Sequence, residues 1–216
     1  MNFDEQHIIK RVMHIFALYG VRSFSIDTIA MYIPLSKKEL LKIAKNKEEL
    51  IAKIFEYRAI IAIEISKQIH ENPYIVNAID ILVHMSVLMS KACNEFNTQL
   101  DFEFKKYYPV LFAEYEKQKH AHIIQNMTAI IEQGQKELLF KSEIVVLQVA
   151  EHYFEQVQKH HESLQEESKF SRQTIEFMIE HISQFIQSIS TQLGIIHFES
   201  KKHILFDLLS EWDSKV

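Results

Sequence analysis

Glycine and proline are scarce: the 216-residue chain has three of each. Turns draw on these two residues, so their scarcity beside abundant Ile, Leu, Lys, Glu and Gln points to long helices with few turns. No stretch alternates apolar and polar residues between turn signals, as a half-buried strand would. The single cysteine, Cys93, excludes an internal disulfide and suits a reducing compartment. The most apolar run, Ile75 to Cys93, carries Asn77, Asp80, His84 and Lys91, which excludes a membrane span. Asp4, Glu5, Lys10 and Arg11 flank the early apolar residues, unlike a secretory signal. The expectation is a cytoplasmic protein with no membrane partner.

The usual marks of catalysis are missing too. The glycines stand singly, so no phosphate-cradling loop can form, and G-x-S-x-G, H-E-x-x-H and C-x-x-C do not occur. Cys93 sits in an apolar stretch, the setting of an inert thiol. The paired carboxylates Glu48-Glu49 and Glu166-Glu167 fall at a helix start and in a polar loop. His7 and His14 are seven residues apart, His120 and His122 two, and His160-His161 adjoin, none of them the helical spacing of a joint metal site. No enzyme, catalytic residue, cofactor or metal is expected.

With 47% apolar residues the chain can bury a large core in one or two domains. Its net charge is −5, but residues 1–56 hold nine Lys/Arg against seven Asp/Glu, so the acidic excess lies in the remainder. Within that basic end, Ser25 to Leu50 reads as two short helices and the start of a third. Ser25 is a good N-cap with Asp27 in the first turn, and Ile26, Ile29 and Ala30 form one small apolar face. Pro34 breaks this helix. Ser36 with Glu39 is the S-x-x-E capping box of the next, whose Leu40, Leu41, Ile43 and Ala44 are expected to face inward. Asn46 with Glu49 starts the third. Two short helices so joined suggest a helix-turn-helix, whose second helix could enter a DNA major groove. Lysines 37, 38, 42, 45 and 47 against Glu39 fit that use, and fit a solvated lysine-rich surface equally.

The order of these features resembles the DNA-binding end of the TetR family of bacterial regulators. The matching residues are Phe16 to Gly20, Ser23 to Ser25, Ile29-Ala30, Leu35-Ser36, Leu40, and Asn46-Lys47-Glu48 with Leu50. Three positions depart from the family pattern. Pro34 stands where the turn glycine is usual, Leu41 where the recognition helix carries a tyrosine, and Ala44 where an aromatic is common. Pro34 cannot take positive φ, and Leu41 has no hydroxyl to offer a phosphate. Further on, the stretch from Asp101 to Pro109 and the stretch from Ile130 to Phe140 resemble two steps of TetR-type ligand domains, with Glu137 or Leu138 where a second glycine is common.

Helices are expected over 4–19, 47–72, 74–95, 97–108, 110–133, 143–158, 171–193 and 199–212, besides the short pair. The segment 74–95 is apolar all round and is expected at the centre of its domain, with Asp80 and His84 on one face. Asp80, His84, Met85, Met89 and Tyr108 are candidate ligand contacts, and the same residues would also serve as an ordinary packed core. Segment 143–158 is apolar on more than one side, while 171–193 has a clean stripe from Ile175 to Leu193. The resemblance implies that these two pair with their mates in a homodimer; a groove contact to another protein is the alternative. Gly194 and Gly134 are read as helix ends, 159–169 as a polar linker, and Trp212 as a docking residue.

The reading is an all-α chain of about nine or ten helices, with a three-helix DNA-binding domain at 1–48 and a helical ligand-binding and dimerisation domain at 49–216. Its function would be that of a homodimeric repressor that leaves a double-stranded DNA operator when a small apolar ligand binds. Ser25, Ser36, Lys37, Lys38, Lys42 and Lys47 are the expected DNA contacts. The alternative is a carrier or interaction protein of the same fold with weakened DNA recognition.

Overall fold

The computed structural model describes residues 1, 3–33, 35–93, 98–163 and 172–207. Among these residues ten helices run in order: α1 (Phe3–Tyr19), α2 (Ile26–Tyr32), α3 (Lys37–Ile43), α4 (Lys47–Glu71), α5 (Ala78–Cys93), α6 (Thr98–Tyr107), α7 (Pro109–Lys136), α8 (Val146–Ser163), α9 (Arg172–Ile189) and α10 (Gln192–Lys201). Residues 203–207 are again helical, and no strand occurs among the described residues, so the all-α expectation holds. Pro34, linker residues 164–169, and Trp212 with the end of the terminal helix lie outside the described residues.

The chain forms two compact units, Met1–Ile63 with Phe96–Lys119, and Glu64–Glu95 with His120–Val216. The first unit therefore holds more chain than the short helices alone. Ile9, Val12 and Phe16 of α1, Ile29 of α2 and Leu40 of α3 are buried against Leu50, Ile51, Ile54 and Phe55 of α4 and Leu100 and Phe104 of α6. Each such side chain contributes roughly 1.5–3 kcal/mol when fully buried. Phe55 stacks on Tyr115 at 4.5 Å and meets the edge of Phe104 at 5.1 Å. Tyr19, the last residue of α1, is 53% exposed.

In the second unit α5, α9 and α10 pack on one another. The α9 stripe is buried from Ile175 through Ile179, Ile182 and Ile186 to Ile189. Helix α5 departs from its expected burial: Ala78 to Val83 are inside except for the edge of Ile81, but 84–89 are half-buried. Helix α9 also stops earlier than the sequence suggests. Lys141 N–H donates to Ile189 O at 2.8 Å, and Thr191 N–H donates to Leu139 O at 2.9 Å, closing a bridge between Phe140 and Ser190 that pulls the chain out of the helix. Thr191 then caps α10, and Leu193 ends up 55% exposed.

Neither expected glycine stop is one. Gly194 lies in the first turn of α10, where an added Cβ would stand 2.1 Å from the Leu139 carbonyl oxygen; Gly134 lies inside α7, where it would stand 2.1 Å from the Phe140 ring. Both glycines let another segment approach a helix closely. The residue that needs glycine's freedom is Leu138, at φ 61 and 71% exposed in the turn after α7. A left-handed conformation costs a non-glycine residue roughly 1–2 kcal/mol, and the flexibility glycine adds to the unfolded chain returns part of this. Leu138→Gly is thus expected to raise stability by about 0.5–1 kcal/mol in denaturant titration.

On α8 and α9, the His181 ring lies between Phe177 (centroids 5.6 Å apart, 8° between planes) and Tyr153 (5.4 Å, 17°). Its Nε2 is buried without a hydrogen-bond partner among the described residues. Burial, with His152 adding to it, pushes the His181 pKa below the ordinary histidine value. In the range between that depressed value and the usual ~6.5 the unfolded chain binds more protons than the folded one, so stability present above it is lost as pH falls. Melting temperature is expected to fall between pH 7.5 and 5.5, and His181→Phe should flatten that dependence.

Candidate nucleic-acid interface

The short helices α2 and α3 are each fixed by one fully buried side chain, Ile29 and Leu40. Seven-residue helices are too short to persist alone, so their ends must be held. Ser25 Oγ accepts the Thr28 N–H at 3.1 Å and shares a hydrogen bond with Thr28 Oγ1 at 2.8 Å. The expected capping box is complete: Ser36 Oγ accepts the Glu39 N–H at 3.3 Å, and Glu39 Oε2 accepts the Ser36 N–H at 2.8 Å and its hydroxyl at 2.7 Å. These bonds hold the Glu39 carboxyl below its ordinary pKa. Asn46 Oδ1 accepts the Glu49 N–H at 2.8 Å, while Glu49 reaches back to the Lys45 N–H at 2.8 Å.

The lysines differ in availability. Lys38, Lys42 and Lys45 are exposed. Lys37 is exposed as well, but its Nζ lies 2.6 Å from Asp27 in the first turn of α2, which neutralises much of its charge. Lys47 is half-buried with its Nζ 5.9 Å from the Phe16 ring centroid; burial pushes its pKa down and the Glu103 charge partly restores it. Ser25 and Ser36 serve as helix caps. Leu41 and Ile43, expected inside, are half-buried, whereas Ala44 is 1% exposed. A cluster that sequence reasoning misses joins the end of α1 to α2: Phe24 packs 5.5 Å from Tyr19 and 5.2 Å from Tyr32. The aromatic at 24 between Ser23 and Ser25 is its only signal in the sequence.

The candidate ligand residues fall in both units. Asp80, His84, Met85 and Met89 belong to the second unit and Tyr108 to the first, where it packs against that unit's core. Asp80 is fully buried in a polar network at the start of α5. It accepts the Val76 N–H at 3.2 Å and Asn77 Nδ2 at 3.0 Å, and pairs with His197 Nε2 at 3.3 Å and Lys201 Nζ at 3.4 Å. His84 Nδ1 is 2.8 Å from the Asp80 carbonyl. Asp80 is therefore a helix-start anchor, a role its position after Asn77 could have suggested. A second buried ion pair joins Arg58 of α4 to Asp101 of α6, and nothing in the sequence singles Arg58 out.

Among the described residues no group of three or more His, Cys, Asp or Glu could hold a metal, and no helix is long and apolar enough to cross a membrane. No family model and no curated protein matches the chain. Solved structures do. A transcriptional regulator from Cytophaga hutchinsonii superposes with a TM-score of 0.69 at 19% identity, over 88% of this chain and 100% of that one. The TetR family protein CprB from S. coelicolor gives 0.67 at 14% identity over 96% and 98%, and the fatty acid degradation regulator FadR from Bacillus halodurans 0.68 at 12% over 86% and 95%. The chain has the fold of TetR-type transcriptional regulators.

Proposed function

We propose that this protein is a TetR-family transcriptional regulator that binds an operator through α2 and α3, acting as a homodimeric repressor released by a small apolar ligand. The observation that supports DNA binding best is the N-capped α2–α3 pair with Lys38, Lys42 and Lys45 exposed along and just after its second helix. A short cationic helix held at both ends and supported by a neighbour is what groove entry requires. The second copy is supported by apolar residues left exposed on α8 and α9: Val157 at 41% and Phe177 at 37%, with Val145 at 57% just before α8. The half-buried Met85 and Met89 would be adaptable walls for such an apolar ligand.

The test is binding of the full-length protein to fragments from upstream of its own coding sequence, followed across salt. A regulator shows preference for one fragment, a steep loss of affinity with rising salt, and a dimeric mass in solution. Equal, weak binding to every fragment would instead support the carrier reading.

A further inference from the structure

The α1–α2 turn is held by a carboxylate from another helix. Gly20 ends α1 at φ 82, with its N–H on the Phe16 carbonyl at 2.9 Å. The next amide, Val21 N–H, has left the helix and donates to Glu103 Oε2 of α6 at 2.5 Å. The Val21 side chain is fully buried, so this donor would otherwise have little water to turn to. Glu103 lies close along the turn, since a methyl group on Gly20 would stand 3.0 Å from its Oε1. Its charge also acts on Lys47 at the start of α4. One side chain of α6 thus fixes the turn that leads, through buried Phe24, to the Ser25 cap of α2.

We infer that Glu103 is a positioning residue for DNA recognition: its hydrogen bond to Val21 sets where the α2 N-terminus stands, although Glu103 itself touches no DNA. The inference rests on the DNA-binding reading above. Sequence preference, more than total affinity, depends on this bond, because a displaced α2 leaves the lysines in place to meet phosphates but loses the register that base reading needs.

The experiment compares Glu103→Gln, which keeps an acceptor oxygen and drops the charge, with Glu103→Met, which drops both; Glu103→Ala replaces the second if it fails to fold. In full-length protein, Glu103→Met is expected to speed hydrogen exchange at the Val21 amide at least tenfold while Leu50 and Ile54 keep their protection. It should also cut the ratio of specific to non-specific affinity about tenfold with the salt slope unchanged, whereas Glu103→Gln stays near wild type in both. Wild-type exchange at Val21 in Glu103→Met would overturn the inference. So would equal losses in both variants, which would make the charge facing Lys47 the cause, or a uniform loss of protection and of both binding modes, which would make the role merely structural. If the wild type shows no fragment preference, the DNA-binding reading fails by itself, and the Val21 amide still reports whether the bond holds the turn.

Discussion

Lys38→Ala with Lys42→Ala is expected to lower affinity for the preferred fragment about 10- to 100-fold near physiological salt and to flatten its salt dependence, the slope falling by roughly 0.9 for each phosphate the protein no longer neutralises. Both side chains are exposed on a seven-residue helix whose inner face is fixed by Leu40. Their removal costs no burial, and circular dichroism and melting should stay close to wild type. Lys37→Ala should have a smaller effect, because that ammonium already pairs with Asp27 at 2.6 Å. The converse substitution sharpens the test. Asp27→Asn keeps a polar side chain in the first turn of α2 and releases Lys37, so affinity should rise several-fold at low salt and the gain should shrink as salt screens the freed charge. Titration of labelled duplex at several salt concentrations reads all three. A flat response to the double variant would show that this face does not meet DNA.

How far these features could be read from sequence follows from the range of the forces behind them. The Ser36–Glu39 box and the Ser25 cap are local, written within four residues, and both stand as expected. The α9 stripe repeats every three or four residues and is equally plain. Its end was not, because α9 stops where Thr191 and Lys141 exchange backbone bonds with Leu139 and Ile189, partners about fifty residues apart. The same contact explains why Gly194, which reads as a helix stop, lies within α10: the glycine serves a distant carbonyl, not its own turn. Lys47 shows the limit for the candidate site. Its place at a helix start suits a phosphate contact, but the Phe16 ring beside it and the Glu103 charge that acts on it come from two other helices. Asp80 makes the same point, since His197 and Lys201 reach it from far along the chain.

The largest stability effect is expected from the Arg58–Asp101 pair, whose partners come from α4 and α6 and are both buried. Burial alone would push the guanidinium pKa down, but the Asp101 charge and hydrogen bond, with help from Tyr115, outweigh it, and the net direction is upward. The Phe104 and Tyr115 rings face the guanidinium at 5.7 and 6.0 Å. Removing one partner takes the opposite charge away from a buried ion: Asp101→Leu or Arg58→Met is expected to cost about 3–5 kcal/mol. For a chain of this size that lowers the melting temperature by roughly 2–4 °C per kcal/mol, or on the order of 10 °C in all. Replacing both partners with apolar residues, Arg58→Met with Asp101→Leu, leaves no stranded charge and should recover most of the loss, because the attraction within a buried ion pair is largely offset by the desolvation both ions undergo. The three variants close a double-mutant cycle in denaturant titration, with a coupling of several kcal/mol expected; additive losses would mean that the pair is not the unit that holds α4 to α6. The recovered variant also separates stability from recognition. If it melts like wild type and still prefers the same fragment, the ion pair is a packing solution, and the polar link that matters for DNA is the one from α6 to the Val21 amide.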